Sequence, residues 1–297
     1  MNAIGIDFGT NYLKFSIIQT KPFKILWQKS YKYSLGKSLD DNNNIPKWKI
    51  DEVTQICEEV YKLARDVYKC KKYKAVGTAG LRNPANSEEL INSVREATGI
   101  VIKIISGVTE AQLTYKGALL SFNDPNATYV EMDFGGNSSE FSIGKLTHII
   151  KSKSIDIGSL SLSQLFDLNN KTVFTEDDLN AVLTFLNRKF SSIQIPSDED
   201  VVYILTGSAG FPPLLFDNRS LTDEIIKSEP LWDITFDMIQ RLLDAIMKDV
   251  KNASNLFNDS DLVLAQTVML YYIMKKFNID TLHYSTLGLR HGLVLFD

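Results

Sequence analysis

Residues 4–11 read Ile4-Gly5-Ile6-Asp7-Phe8-Gly9-Thr10-Asn11, and residues 130–137 read Val130-Glu131-Met132-Asp133-Phe134-Gly135-Gly136-Asn137. Each is a short apolar run that ends in Asp-Phe-Gly, turns at an Asn and gives way to a second apolar run. Laid over one another without a gap, residues 3–17 and 129–143 pair Asp7 with Asp133, Phe8 with Phe134, Gly9 with Gly135 and Asn11 with Asn137. Phe15, Ser16 and Ile17 then fall on Phe141, Ser142 and Ile143. Two apolar strands explain the hydrophobic matches but not the shared turn. A constant offset through a whole hairpin indicates duplication of a unit larger than a motif.

The turn chemistry suits phosphate. Glycine lets main-chain N–H groups approach anionic oxygens, and the adjoining hydroxyl or amide adds a donor. An aspartate at the strand end can hold a hydrated divalent cation. A single hairpin of this kind reads equally well as an ordinary glycine turn; two at one offset favour a phosphate clamp. Asp-Phe-Gly also occurs in protein kinases, but no lysine strand after a glycine loop and no His-Arg-Asp segment accompany it. The Walker phosphate loop and the Gly-x-Gly-x-x-Gly fingerprint are absent as well.

Outward from the hairpins, residues 3–8, 13–18 and 24–33 read as strands. Ile50, Val53, Ile56, Val60, Leu63 and Val67 recur at helical spacing and predict a long amphipathic helix over 49–69. Strands at 73–76 and 100–105 alternate with helices at 87–97 and 108–121, an α/β layer. The turn Asn123-Asp124-Pro125-Asn126 marks a domain boundary. Strands at 128–134, 138–144 and 147–155 then repeat the opening pattern, followed by helices at 175–191, 232–250 and 259–276 and a strand at 201–205. Thr175 ahead of Glu176, Asp177 and Asp178 is a helix start.

Length and composition set the outer limits. A chain of 297 residues exceeds what one core comfortably serves, so two domains are expected. With 44% hydrophobic and 23% charged residues it is an ordinary globular chain. A net charge of −4 argues against broad nucleic-acid binding. Lys69, Lys71, Lys72 and Lys74 form a local basic cluster that a helix C-terminus also explains. There is no apolar run of membrane-spanning length and no leader pattern, so no membrane partner and a cytoplasmic location are expected. Cys57 and Cys70 lack zinc-type spacing with His148, His283 or His291 and read as idle thiols.

Between the hairpins stand Gly77-Thr78-Ala79-Gly80-Leu81-Arg82-Asn83, Thr98-Gly99-Ile100 and Ile105-Ser106-Gly107-Val108-Thr109-Glu110-Ala111, and near the end Gly288-Leu289-Arg290-His291-Gly292. In order, these segments resemble the exopolyphosphatase and guanosine pentaphosphate phosphohydrolase family of the actin-like ATPase superfamily, from Ile4 to Val294. The resemblance implies an α/β fold of two actin-like (ribonuclease H-like) domains, with mixed sheets flanked by helices and an interdomain cleft. Domain I would cover 1–124, completed by 285–297, and domain II 125–284, the short two-domain form of the family.

Carried over by position, the resemblance makes Glu110 the base that prepares the attacking water and Arg82 a phosphate-contacting fork. Gly9, Thr10 and Asn11 would line one phosphate hairpin, and Gly135, Gly136, Asn137 and Ser138 the other. Asp133 and Glu140, with Asp7 as a third, would hold Mg2+ or Mn2+. The implied activity is release of terminal phosphate from inorganic polyphosphate or guanosine pentaphosphate by water attack, in a homodimer. The alternative is a guanosine polyphosphate or nucleotide sensor with weak turnover or none; a kinase of the superfamily would need an acceptor motif that is missing. Each residue has a plain reading too: Glu140 as a solvent-facing strand residue, Arg82 as a surface arginine, Glu110 as the acidic first turn of a helix. The chain departs from the family at Gly80 (usually alanine), Thr109 (glutamate), Gln112 (arginine), Asn137 (glycine) and His291 (often glutamate).

Overall fold

The computed structural model describes residues 1–196, 200–217, 231–251 and 260–296. They form two compact units, Met1–Gly117 with Leu287–Asp297, and Ala118–Thr286.

Unit 1 is built on β1 (Asn2–Phe8), β2 (Tyr12–Thr20), β3 (Phe23–Lys32), β4 (Lys72–Gly77) and β5 (Ile102–Ile104), in the order β3-β2-β1-β4-β5. The β1–β2 and β2–β3 pairs are antiparallel, whereas β4 joins β1 in parallel and β5 joins β4 in parallel. Ile4, Ile6 and Phe8 share a core with Leu13, Phe15 and Ile17 and with Ile50, Val53, Cys57 and Val60 of helix α2 (Lys47–Lys62). On the opposite face, Ala3 and Ile18 pack with Val294. Burial of both faces is why β1 is continuously apolar instead of alternating. The helix expected to reach residue 69 is α-helical only to Lys62 and then widens into a π turn over Leu63–Val67. Burial raises both thiols, that of Cys70 to about 11, which keeps them protonated and unreactive.

Three further helices finish this unit's framework: α1 (Leu35–Ser38), α3 (Ala79–Arg82) and α4 (Ser87–Thr98). Gly99, at φ +75°, closes α4 in the left-handed conformation usual for a helix C-terminus. Helix α5 (Gly107–Ala118) crosses the C-terminal helix of residues 289–296 with almost no side chain between them. A Cβ at Gly292 would sit 1.9 Å from the Leu113 carbonyl oxygen. The late Gly-Leu-Arg-His-Gly stretch therefore fixes where α5 lies.

Unit 2 holds β6 (Thr128–Phe134), β7 (Ser139–Gly144), β8 (Ile149–Ile155), β9 (Val201–Thr206), β10 (Leu231–Thr235) and β11 (Thr281–Ser285), ordered β10-β11-β9-β6-β7-β8. With β10 set aside, this is the strand order of unit 1 with the same sense at each pairing, so the duplication read from the hairpins extends to whole sheets. Two mixed sheets flanked by helices are thus present, as expected. Helices α6 (Ser159–Leu165) and α7 (Glu176–Lys189) follow the hairpins, and α8 (Phe211–Phe216), α9 (Phe236–Lys248) and α10 (Ser260–Phe277) come later. The core runs from Val130, Met132 and Phe134 through Phe141 to Phe190, with edge-to-face ring pairs at 6.0 and 5.5 Å. Thr175 starts α7 with a reciprocal cap, accepting from the Asp178 N–H while Asp178 accepts from the Thr175 N–H.

The helix expected over 232–250 begins later. Leu231–Thr235 pairs antiparallel with β11, and only at Thr235, whose hydroxyl accepts from the Met238 N–H at 3.3 Å, does α9 start. Residue 259, the expected first residue of the next helix, lies outside the described residues. Among the described residues no helix is long and apolar enough to cross a membrane. The C-terminal helix of unit 1, α11 (Leu289–Phe296), was not foreseen as a helix.

His291, on α11, ties that helix to β2. The Gly288 N–H donates to Nδ1 at 3.1 Å, which places the ring proton on Nε2, and Nε2 lies 3.2 Å from the Ser16 hydroxyl. Burial, then the neighbouring Arg290 charge, holds the imidazole well below its ordinary value. The unfolded chain takes up this proton near pH 6.5, the folded protein only at lower pH, so the stability it contributes is complete above about pH 6.5 and is lost as pH falls below it. Thermal melting from pH 7.5 to 5 is expected to show His291→Gln losing stability less steeply than wild type, by up to about 1.4 kcal/mol per pH unit.

Candidate functional site

In unit 1 the first hairpin is closed by the Gly9 N–H donating to the Tyr12 carbonyl at 3.1 Å. Asp7, the penultimate residue of β1, lies opposite Lys14, whose ammonium is 3.8 Å from its Oδ2. Thr10 and Asn11, at the turn, are both buried. Helix α3 runs beside this turn: a Cβ at Gly80 would lie 2.2 Å from the Gly9 carbonyl oxygen and 2.6 Å from its carbon. Position 80 therefore has no room for a side chain while the hairpin stays where it is.

Arg82 closes α3 and reaches α5. Its Nη1 donates at 2.9 Å to Glu110 Oε2 and at 2.9 Å to the Ile105 carbonyl. Glu110 is 7% exposed, unlike a solvated residue in a helix's first turn. The cap of α5 is made by other residues: Ser106 Oγ accepts from the Thr109 N–H at 3.1 Å and lies 2.9 Å from the Thr109 hydroxyl. Thr109 thus serves the cap, and Glu110 is left for the Arg82 guanidinium. The arrangement holds a carboxylate and a fork of donors within one ion pair.

In unit 2 the second hairpin repeats the first, with the Gly135 N–H donating to the Ser138 carbonyl at 3.0 Å. Asp133 and Glu140 are cross-strand partners at its base. Glu140 is 1% exposed and accepts from the Ser154 hydroxyl at 2.7 Å, so it is not a solvent-facing strand residue. Glu131, two residues before Asp133, is wholly buried and accepts from the Thr206 hydroxyl at 2.8 Å. Burial first, and the Asp133 charge second, raise its carboxyl well above the usual range and favour the neutral acid. Among the described residues no group of three or more His, Cys, Asp or Glu side chains is placed to hold a metal ion. Asp133 and Glu140 nevertheless fit a hard cation that takes its remaining ligands from phosphate and water, as Mg2+ characteristically does.

The family model for the Ppx/GppA phosphatases matches residues 15–297. The chain belongs to the Ppx/GppA phosphatase family. Among solved structures, the Aquifex aeolicus PPX-GPPA enzyme superimposes with a TM-score of 0.85 at 24% identity, covering 100% of this chain and 99% of that one. An exopolyphosphatase from Cytophaga hutchinsonii superimposes with a TM-score of 0.87 at 18% identity over 99% of this chain and 96% of that one. These likenesses establish the actin-like fold. Among curated relatives, the bifunctional 3-dehydroquinate synthase/phosphatase of Fusobacterium nucleatum is 31% identical over 176 residues, 56% of this chain. Exopolyphosphatase 1 of Mycobacterium leprae is 28% identical over 108 residues, 36% of this chain. The matches span 26% and 32% of those two proteins' own lengths.

Within this Ppx/GppA chain, unit 1 brings together Asp7, Gly9, Thr10, Asn11, Arg82 and Glu110, and unit 2 brings together Asp133, Gly135, Gly136, Asn137, Ser138 and Glu140. Sequence reasoning missed a second repeated element. Gly77-Thr78-Ala79-Gly80 follows β4, and Gly207-Ser208-Ala209-Gly210 follows β9, the strand that holds the same place in the other sheet. The main chain at Gly207 abuts the Asp133 carboxylate, and the Ser208 hydroxyl accepts from Gln266 at 3.0 Å. The signal was present as three identical residues and a Thr–Ser pair, but their offset differs from that of the hairpins.

Gly80→Ala, which restores the family's usual residue, must displace either α3 or the first hairpin. It is expected to cost roughly 1–3 kcal/mol in urea unfolding; an unchanged midpoint would show that the turn yields freely.

Proposed function

We propose that this chain is a magnesium-dependent phosphohydrolase that releases terminal phosphate from inorganic polyphosphate or guanosine pentaphosphate by attack of water. The observation that carries the proposal is the ion pair of half-buried Arg82 with buried Glu110, 2.9 Å between Nη1 and Oε2, beside the hairpin that Gly80 abuts. Phosphoryl transfer asks little covalent chemistry of a protein; it asks for alignment, charge neutralisation and a positioned nucleophile. Glu110 orients and deprotonates the water, a general-base role. Arg82 spends Nη1 on Glu110 and Ile105, which holds the remaining edge of its planar fork in one orientation toward phosphoryl oxygens.

The main-chain N–H groups of Thr10 and Asn11 in unit 1, and of Gly136 and Asn137 in unit 2, make no hydrogen bond among the described residues, and each pair would receive phosphate oxygens. Asp133 and Glu140 of unit 2 would hold Mg2+ or Mn2+, and Asp7 is the corresponding carboxylate of unit 1. Such a cation would neutralise charge on phosphate oxygens. Exopolyphosphatase activity named for the Cytophaga and Mycobacterium relatives supports the polyphosphate branch. The alternative, a guanosine polyphosphate sensor without turnover, is favoured by one feature. Thr109, at the position where the family carries the first glutamate of its pair, is occupied by the α5 cap.

Phosphate release should be measured with both substrates in the presence of Mg2+. Glu110→Gln keeps the hydrogen-bonding shape of the side chain and loses the base. Its kcat is expected to fall by about 100-fold or more with little change in KM. Full activity in that variant would eliminate Glu110 as the base. Tight nucleotide binding by the wild type without phosphate release would establish the sensor.

A further inference from the structure

The offset that superimposes the two hairpins also superimposes two buried hydroxyls. Tyr33 donates its phenolic O–H to the carbonyl of Gly9, and Ser159 donates its O–H to the carbonyl of Gly135 at 3.1 Å. Donor and acceptor are displaced by the same number of residues, although the side chains differ and lie in unlike elements: Tyr33 follows a strand, whereas Ser159 opens α6. Main-chain donors complete both sets. Tyr33 and Ser34 N–H groups reach the Asn11 carbonyl, each at 3.0 Å, and Gly36 N–H reaches that of Thr10 at 3.1 Å. In unit 2, Ser159 N–H reaches Gly135 at 2.9 Å, and those of Leu160 and Ser161 reach Gly136 at 2.8 and 3.1 Å.

We infer that Tyr33 and Ser159 are positioning residues for anion binding, each holding the first glycine carbonyl of its hairpin away from the ligand. In a trans peptide the C=O and the next N–H point in opposite directions. Fixing the Gly9 carbonyl on the protein side therefore turns the Thr10 N–H outward, and fixing that of Gly135 does the same for Gly136. Glycine lowers the barrier to rotating these peptides, and a rotated peptide would present a carbonyl dipole to phosphate. Tyr33 is itself held. Its carbonyl accepts from Lys49 Nζ at 2.8 Å, and Lys49 is paired with Glu52 at 2.5 Å. Burial, then the Asp7 charge, raises the phenol well above its ordinary value, so it stays a donor.

The inference rests on the hairpins being phosphate sites, so the test separates the two. Methylenediphosphonate, which resists hydrolysis, is titrated calorimetrically in Mg2+ into wild type, Tyr33→Phe, Ser159→Ala and Ser159→Thr, with thermal melting as a check on folding. Phosphate-release kinetics follow on the same proteins. Wild type is expected to bind, and Tyr33→Phe to bind roughly two- to tenfold more weakly, the size of one lost hydrogen bond. Its KM should rise by a similar factor with kcat nearly unchanged, because ground and transition states lose the same contact. Ser159→Ala should lose less, since the Ser159 N–H still holds Gly135, and Ser159→Thr should restore binding. Wild-type affinity in both hydroxyl-deleted variants overturns the inference, as does a Tyr33→Phe protein that loses kcat alone. If that variant does not fold, the Ala and Thr pair at Ser159 decides. No binding by wild type overturns the phosphate reading and this inference with it.

Discussion

Five carbonyl acceptors in two runs, those of Gly9, Thr10 and Asn11 and those of Gly135 and Gly136, are taken up by donors from the segments that follow each hairpin. A turn can offer its N–H groups to an anion only if its carbonyls are satisfied elsewhere, because both belong to the same peptide planes. The remainder of each unit can be understood as support for that constraint. β1 and β6 are central strands buried on both faces, so the turns leaving them are anchored from two sides. The donors come from residues 33–36 in one unit and from the first turn of α6 in the other. The duplicated fold reaches the same hydrogen-bond pattern by different local structures.

In unit 1 Arg82 and Glu110 stand on helices that pack main chain against main chain. Gly80 lets α3 touch the hairpin main chain, which sets the height of Arg82, and Gly292 lets α11 touch α5, which sets the height of Glu110. The two side chains meet in a part-buried ion pair, with the carboxylate the more deeply buried partner. Such pairs contribute modestly to net stability, whereas loss of one partner leaves a costly buried charge. Substitutions at Arg82 or Glu110 therefore need a folding control before any change in rate is assigned to chemistry. In unit 2 the neutral form favoured at Glu131 spares Asp133 a second buried negative charge at its flank.

Much of this was legible in the sequence because it rests on features that recur. The hairpins announced themselves by a constant offset, α2 by its apolar spacing and α7 by Thr175 with its acidic first turn. What stayed hidden was written in single residues or in long-range pairing. β10 is five residues long and runs directly into α9, so Trp232-Asp233-Ile234-Thr235 looked like the first helical turn until β11 paired with it. His291 stood as an unexplained departure; the Gly288 N–H occupies its Nδ1, and only the meeting of α11 with β2 gives Nε2 a partner in Ser16. Tyr33 and Ser159 share no chemistry beyond a hydroxyl, so sequence comparison gave no reason to match them. Gly80 likewise departed from the family for a reason that is visible only as a backbone approach.

The central claim, that the two hairpins are anion receptors built on outward-turned amides, is tested most directly by the amides themselves. In a deuterated, 15N-labelled sample titrated with pyrophosphate and Mg2+, the resonances of Thr10, Asn11, Gly136 and Asn137 are predicted to shift together with saturation. The amides of Gly9 and Gly135, already bonded within their turns, should move far less. Saturable shifts confined to other parts of the chain, with these four unmoved, would contradict the account.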